Sequence, residues 1–400
     1  MDLERVYLVI SILAGIVFLY TLIAKRIEHS SISGPIVYVL LGLLLGEHGL
    51  NILGTSAEAN DLRLLADLTL ALILFSDAAN SNLGILKQKA IYPLRMLLLG
   101  LPGAILLGTL LAVVLFDVLT VVEAAILATM LAATDAALGK AVIANHKVPA
   151  PIREGLNVES GLNDGLCVPI LLLLITIATS NNLADVSTVD ALTVFAKELG
   201  IGVLVGVSLA FIGTKLLFWS AKKGWLSEVW LQLTVATIAL TSFSLAQTLH
   251  GSGYIASFTG GLLFGHLVSR HKHKLILTTE SIAELLAMLT WILFGASVVG
   301  QFVGLFSANM IVYAIISLTL VRMLPIYLSF LGSSVPARHR WFMGWFGPRG
   351  LASIVFAIIV LDAELPGSKF IVLTVTCTVT ISLLLHGITA RALSERIGRN

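Results

Sequence analysis

The order of hydrophobic and polar positions predicts most of the architecture. Long apolar runs alternate with short polar connections along nearly all of the 400 residues. A helix needs roughly 20 apolar residues to cross the hydrocarbon core of a bilayer. Thirteen segments approach that length: 5–24, 34–50, 62–79, 92–116, 121–145, 154–179, 191–219, 229–249, 253–269, 277–299, 308–331, 340–361 and 370–389. The pattern predicts an all-α polytopic membrane protein with 13 transmembrane helices, which we call spans 1 to 13.

Composition supports a membrane protein and excludes other classes. The chain is 57% hydrophobic and 12% charged, with a mean hydropathy of +0.98, and a soluble domain with these values would expose too much apolar surface. A net charge of +2 gives no sign of a nucleic-acid partner. The two cysteines, Cys167 and Cys377, lie in apolar runs without the spacing of a disulfide framework or a metal site. We expect a single membrane transporter domain over residues 1–400, with no soluble domain.

Lysine and arginine are concentrated on alternate connections between the spans. Lys25 and Arg26 follow span 1, the sequence RHKHK follows span 9, and Arg391 and Arg396 follow span 13, whereas the even-numbered connections contain few basic residues. Cytoplasmic loops of membrane proteins carry an excess of these residues. The alternation predicts a multi-pass protein of the plasma membrane, with its N-terminus outside and its C-terminus in the cytoplasm.

Two glycine-rich segments resemble each other. The sequence SGPIVYVLLGLLLG (33–46) in span 2 matches SGYIASFTGGLLFG (252–265) in span 9 at seven of 14 positions. Shared small-residue helix packing could also produce this similarity. Because seven spans separate the two copies, an internal repeat would have inverted topology, which is typical of secondary transporters.

Polar interruptions in spans 5 and 12 show the same offset of seven spans. Span 5 contains ATDAALGK (133–140), and span 12 contains WFGPRGLAS (345–353), whose glycines and proline break a helix. Transporters with inverted repeats interrupt one helix in each repeat near the bilayer centre. We therefore predict a first repeat over 1–179 (spans 1 to 6), a linker helix over 191–219 and a second repeat over 229–390 (spans 8 to 13).

Several ionisable residues lie within the predicted spans. Such residues are costly in a bilayer and usually face a cavity or a partner. Lysines near helix ends can reach the interface between membrane and water. Asp77 could be a residue at a helix end, and Glu284 could belong to a solvated helix start. The embedded set is Asp77, Asp135, Lys140, Glu159, Asp164, Lys215, Glu284, Arg322 and Arg349.

The stretch ESGLNDG in span 6 places two pairs of polar residues on adjacent helix faces. Residues four apart share a face, so Ser160 lies beside Asp164, and Glu159 lies beside Asn163. A hydroxyl and a carboxylate suit a small hard cation that prefers oxygen ligands. Glu159 then needs a partner of its own, and Arg322 in span 11 is a plausible one, because a buried arginine must be paired.

Arg349 lies at the predicted break of span 12. Its charge could offset the carbonyl dipoles of a broken helix end, or it could offset the negative charge of the cation site.

The motifs ATDAAL, ESGLNDG and WFGPRGLAS together resemble the signature motifs of the cation:proton antiporter superfamily, in particular its NhaP-like sodium/proton exchanger branch. The resemblance covers most of the chain. It implies an NhaA-like antiporter fold with crossing interrupted helices in spans 5 and 12. It also implies a homodimer that transports Na⁺, Li⁺ or K⁺ and H⁺, without enzymatic activity and without a cofactor.

The resemblance also implies roles for individual residues. Asp164 would bind either a proton or a monovalent cation, with further ligands from Ser160, Thr134, Asp135 and Asp77. The structural residues of the motif would be Glu159 and Asn163, held by an arginine such as Arg322, with Arg349 as electrostatic support at the break. The family usually has proline where this chain has Ala136, and glutamate where it has Asp77.

A single shared carboxylate predicts the stoichiometry. Burial raises the pKa of a carboxylate toward neutral pH, and nearby cations lower it. A carboxylate tuned in this way holds a proton or a cation but not both, and an asparagine beside it cannot titrate. The sequence predicts electroneutral exchange of one Na⁺ for one H⁺, with K⁺/H⁺ exchange as the alternative. Two other classes are disfavoured: an intramembrane hydrolase, for lack of a paired-aspartate motif, and a passive channel, for lack of a carbonyl filter.

Overall fold

A computed structural model describes residues 3–28, 30, 32–53, 59–81, 83–143, 145–179, 188–268 and 272–397. The described part of the chain contains helices joined by turns and short extended segments, and no strand. The helices are α1 (Leu3–Glu28), α2 (Gly34–Leu45), α3 (Ala59–Asn80), α4 (Leu83–Lys89), α5 (Ile91–Leu115), α6 (Val121–Met130), α7 (Ala136–Ile143), α8 (Ala150–Thr179), α9 (Thr188–Lys222), α10 (Glu228–Thr248), α11 (Gly253–Leu267), α12 (Lys272–Phe294), α13 (Ala308–Ser329), α14 (Ala337–Trp345), α15 (Leu351–Asp362) and α16 (Ser368–Ile397).

The helices follow the hydrophobic runs of the sequence. Each predicted span overlaps a helix, and spans 5 and 12 are each divided into two, α6 with α7 and α14 with α15. Among the described residues, eight helices could cross a membrane by length and composition (α1, α5, α8, α9, α10, α12, α13 and α16), and three apolar helices are shorter (α2, α6 and α15). The all-helical architecture is confirmed, and the number of 13 crossings stays a prediction. The short helix α4 was not predicted, because the sequence LGILKQK is neither long nor strongly apolar.

Apolar side chains point outward along much of the surface. On α1, Leu8, Leu19 and Leu22 are more than half exposed, and the apolar stretch of this helix has no buried residue. In water such a helix would be an extended hydrophobic patch. A lipid environment removes that cost, because hydrocarbon chains cover the leucines.

The two glycine-rich segments pack in a reciprocal way. A side chain on Gly42 or Gly46 of α2 would collide with the backbone around the end of α12. A side chain on Gly261 or Gly265, at the matching positions of α11, would collide with the backbone of α3. Spans 2 and 9 therefore contact spans 10 and 3 respectively, which is the pattern that an inverted repeat would produce. The inverted repeat itself stays a prediction.

Candidate functional site

The two interrupted helices meet at their breaks. Residues 131–135 connect α6 to α7, and residues 346–350 connect α14 to α15, both without helical structure. The backbone N–H of Asp135 donates to the carbonyl of Pro348 at 2.8 Å. The N–H of Asp135 in one break and the carbonyl of Pro348 in the other thus pair with each other, because neither lies within a regular helix.

Asp135 joins the two half-helices that begin after the breaks. Its Oδ1 accepts the N–H of Leu138 at the start of α7, at 3.2 Å. Its Oδ2 accepts the N–H of Leu351 at the start of α15, at 2.7 Å. Gly350 permits this approach, because a side chain there would collide with the carboxylate. The carboxylate therefore caps two helix N-termini, where a negative charge is stabilising.

Arg349 contacts the opposite end of the break in span 5. Its Nη1 donates to the carbonyls of Ala132 and Ala133, each at 3.2 Å, and its side chain is buried. Helix C-termini carry partial negative charge on unpaired carbonyls. The guanidinium thus offsets the carbonyl dipoles after α6, and it also lies close enough to Asp164 to act on it electrostatically.

A buried ion pair connects α8 to α13. Arg322 donates from Nη1 to Oε1 of Glu159 at 2.8 Å and from Nη2 to Oε2 at 3.0 Å. Both side chains are 1% exposed. Gly347 leaves room for the guanidinium, since a side chain at that position would collide with it. The bidentate geometry neutralises Glu159 within the protein.

Asn163 connects α8 to the break before α7. Its Nδ2 donates to Oγ1 of Thr134 at 2.7 Å and to Oε1 of Glu159 at 3.1 Å. Its Oδ1 accepts the N–H of Thr134 at 3.1 Å. The side-chain amide has both donor and acceptor partners, so Asn163 holds the backbone of Thr134 in place.

Ser160 and Asp164 lie on the next face of α8, one turn apart. Ser160 Oγ donates to the carbonyl of Thr134 at 2.6 Å. Asp164 is 1% exposed, and its Oδ1 has no hydrogen-bond partner among the described residues. A buried carboxylate oxygen without a donor is unfavourable unless a proton or a cation meets it. Among the buried acids of this region, Asp164 is therefore the one whose oxygen is available.

A small cavity lies beside Ser160 and the break in span 5, and Asp164 is not among the residues that line it. Its volume is about 10 Å³, and its lining includes Thr134, Asp135, Ser160 and Pro348. This volume is close to the minimum for one water molecule. The cavity is therefore no larger than about one water molecule, and the rest of its lining is apolar.

Asp77 lies on the wall of a larger cavity of about 1000 Å³ that Glu284 also lines. Its backbone carbonyl accepts Nδ2 of Asn157 at 3.2 Å. Asn157 precedes Asp164 by seven residues on α8, about 10 Å along the helix axis at 1.5 Å per residue, so the Asp77 backbone contacts α8 about two turns before Asp164. The structure thus groups eight of the nine predicted site residues around the two breaks, and the ninth, Asp77, contacts α8 at Asn157. The side chain of Lys140 lies outside the described part of the chain.

Sequence reasoning missed a polar cluster at the other end of α3. The hydroxyl of Tyr254 donates to Oδ1 of Asp67 at 2.5 Å, and Arg63 lies 3.9 Å from Asp67 and 3.2 Å from Asp362. Asp67 is an acid within an apolar run, so the criterion that selected Asp77 could have selected it as well.

Replacing Asp135 by asparagine should lower the melting temperature in detergent. The amide has a single acceptor oxygen, so one of the two capped N–H groups would lose its partner, at a cost of about 1–3 kcal/mol. Ser353→Ala is a matched control, because it removes one hydrogen bond at the same crossing, from Ser353 Oγ to the carbonyl of Met130. A melting temperature for Asp135→Asn equal to that of the wild type would show that the carboxylate is not needed as a double cap.

Comparison with known proteins identifies the family. The family model described as "Sodium/hydrogen exchanger, transmembrane" matches residues 11–396. The K⁺/H⁺ antiporter NhaP2 of Shewanella sp. (strain ANA-3) is 26% identical over 406 residues, covering 96% of this chain and 66% of the relative. The K⁺/H⁺ antiporter NhaP of Alkalimonas amylolytica is 24% identical over 399 residues, with the same coverage. The chain thus spans about two thirds of the length of these relatives.

A solved structure shows the same fold. The sodium proton antiporter MjNhaP1 from Methanocaldococcus jannaschii, at pH 8, matches with a TM-score of 0.78 and 20% sequence identity, over 96% of this chain and 99% of that one. The likeness supports the antiporter fold expected from the three motifs. The family model, which matches residues 11–396, shows that this protein belongs to the sodium/hydrogen exchanger family.

Proposed function

We propose that this protein is a secondary active antiporter that exchanges Na⁺ or Li⁺ for H⁺ by alternating access. Asp164 is protonated in one half of the cycle and holds the cation in the other. The observation that carries this proposal is the Oδ1 of Asp164, which is buried and has no donor among the described residues. An oxygen of this kind favours a bound proton or cation over an empty, charged state.

The neighbouring groups supply the remaining ligands of the proposed cation site. The Ser160 hydroxyl lies 2.6 Å from the Thr134 carbonyl, and both residues line the small cavity. Hard monovalent cations prefer such oxygen ligands. We infer that the cation is bound by Asp164, Ser160 and Thr134. Asp77 would interact with it on the way from the larger cavity, in which its side chain is half-buried.

The exchange is proposed to be electroneutral, with one proton for one cation. The charge of Glu159 is matched by Arg322 in both halves of the cycle. Both oxygens of Asp135 accept backbone N–H groups, so this carboxylate already serves to join the two breaks. Asn163 carries no titratable group. Only Asp164 then changes its occupant, and each turnover moves one positive charge in each direction.

The larger cavity suggests which side is open in this conformation. Lys147 and Arg391 line it, and both belong to segments that the loop charges assign to the cytoplasm. We infer an inward-facing state in a plasma-membrane protein with an outside N-terminus. Movement of one helix bundle against the other would then expose Asp164 to the opposite side. A homodimer is part of this proposal, because the resemblance implies one.

K⁺/H⁺ exchange by the same mechanism is the alternative. The observation that favours it is the similarity to two proteins named K⁺/H⁺ antiporters. Na⁺ and K⁺ take the same types of ligand, so the residues of the site are compatible with both.

Exchange should be measurable with a pH-sensitive dye in proteoliposomes. We expect a proton gradient to collapse on addition of Na⁺ or Li⁺, and less on addition of K⁺, with no response in protein-free liposomes. The initial rate with Na⁺ should not change when a membrane potential is imposed, because no net charge moves. A rate that follows the potential would contradict the one-for-one stoichiometry, and a response to K⁺ larger than that to Na⁺ would favour the alternative.

A further inference from the structure

Helix α16 contacts both sides of the break in span 12. Ser382 Oγ accepts the backbone N–H of Arg349 at 2.8 Å, on the side that leads into α15. One turn further along α16, His386 Nε2 lies 2.9 Å from the carbonyl of Trp345, the last residue of α14. Ser382 and His386 are fully buried, at 0% and 1% exposure. The two side chains therefore span the break from one half-helix to the other.

The hydrogen bonds of these two residues form a directed chain. The Trp345 carbonyl can only accept, so His386 Nε2 must carry a hydrogen. Ser382 Oγ accepts from Arg349, so its own hydrogen can be donated to Nδ1 of His386, which lies 3.2 Å away. A neutral imidazole with its hydrogen on Nε2 satisfies all of these groups, an assignment that follows from the network.

A charged imidazolium fits the surroundings less well. It would donate from Nδ1 to the Ser382 carbonyl, at 3.0 Å, and would leave the Ser382 hydroxyl without its acceptor. It would also add a buried positive charge near Arg349 and Arg322, and like charges in a buried site repel each other. The neutral form is therefore the one that completes the chain.

The break in span 12 leads directly to the proposed cation site. The residue that Ser382 holds, Arg349, donates to the carbonyls of Ala132 and Ala133. The next residue, Thr134, supplies the carbonyl that Ser160 contacts. A shift of the Arg349 backbone would move the guanidinium that fixes these carbonyls, and with it the oxygens that line the small cavity.

We propose that Ser382 and His386 are positioning residues for cation binding. They hold the two ends of the break in span 12 at a fixed separation and thereby set the place of Arg349 and of the Thr134 carbonyl. The inference rests on the proposed exchange function. It assigns neither residue to the ligands of the cation, because neither contacts Asp164.

Four single variants and one double variant test this proposal in proteoliposomes. His386→Leu removes both hydrogen bonds, and Ser382→Ala removes the contact to Arg349. His386→Gln keeps a donor at the position of Nε2 and an acceptor beside it. Thr378→Val is a matched control, because Thr378 is as buried on the same helix but its hydroxyl bonds only within that helix.

We expect His386→Leu and Ser382→Ala each to raise the apparent KM for the transported cation roughly tenfold, as for other lost buried hydrogen bonds. His386→Gln should stay within about threefold of the wild type, and Thr378→Val should leave KM unchanged. Ser382 and His386 belong to one chain of hydrogen bonds, so their effects should not add. The double variant Ser382→Ala with His386→Leu should therefore have a KM little higher than that of the poorer single variant. Melting temperatures in detergent would show that each variant is folded.

Two results would overturn the inference. His386→Gln as impaired as His386→Leu would mean that ring packing, not hydrogen bonding, matters at this position. An unchanged KM in His386→Leu, in a protein that exchanges cations normally, would remove the positioning role. Absence of exchange by the wild-type protein would instead refute the proposed function.

Discussion

Asp164→Asn is expected to abolish cation/proton exchange while leaving the protein folded. The amide has nearly the same shape as the carboxylate but cannot release a proton, and its oxygen attracts a cation less strongly. The rate should fall to the leak of protein-free liposomes. The melting temperature should stay the same or rise, since the carboxylate is buried without a donor to Oδ1 and a neutral group there is less costly.

The same substitution at an exposed carboxylate is the control. Asp362 is half exposed and pairs with Arg63, so Asp362→Asn should exchange at nearly the wild-type rate. Retention of exchange by Asp164→Asn would show that another acid carries the proton, and Asp77 would be the first to test. Loss of exchange by a variant that remains folded calls for a second measurement, which asks whether the cation still binds.

Cation binding gives that second measurement. A ligand that binds only the folded state raises the melting temperature. Wild-type protein in detergent should therefore be stabilised by Na⁺, and more so at high pH, because fewer protons compete for Asp164. Asp164→Asn should lose this increment at every pH. An increment of the wild-type size in the variant would contradict the central role of this carboxylate.

The helices could be predicted from the sequence because hydrophobic run length is a local property. Spans 4, 6 and 8 agree with α5, α8 and α10 to within a few residues. The interruptions of spans 5 and 12 were also visible, since Gly347, Pro348 and Gly350 cannot continue a helix. The Glu159–Arg322 contact was suggested by a general rule, that a buried charge requires a partner, and not by any pattern that connects these two positions.

The connections across the breaks could not be predicted in the same way. The expected role of Asp135 as a cation ligand stays a prediction, but the sequence did not show that its oxygens accept the N–H groups of Leu138 and Leu351. Leu351 is 216 residues away, and only the crossing of the two breaks brings it near. The contacts of Ser382 and His386 could not be predicted from the sequence either. Each is an isolated polar residue in an apolar helix that has several hydroxyl groups.

Arg322→Met is expected to cause the largest loss of stability among these variants. It would leave the Glu159 carboxylate buried without its cation, which typically costs about 3–5 kcal/mol. Lys274→Met is the matched control, because Lys274 pairs with Glu228 at the surface, where the two side chains are 63% and 83% exposed. Exposed pairs contribute about 0–1 kcal/mol, so this variant should melt near the wild-type temperature.

The double variant Glu159→Leu with Arg322→Met distinguishes two roles for the pair. Replacing both partners by apolar residues removes the unpaired charge, so most of the lost stability should return. Asn163 would keep its bonds to Thr134, and Asp164 would be unchanged, so measurable exchange should return as well.

If the double variant is stable but inactive, the pair acts on the cation site through its charges, beyond holding α8 against α13. If the double variant is as unstable as Arg322→Met, neutralising Glu159 is not the main contribution of the arginine, and its contact with the chain at Gly347 becomes the better explanation.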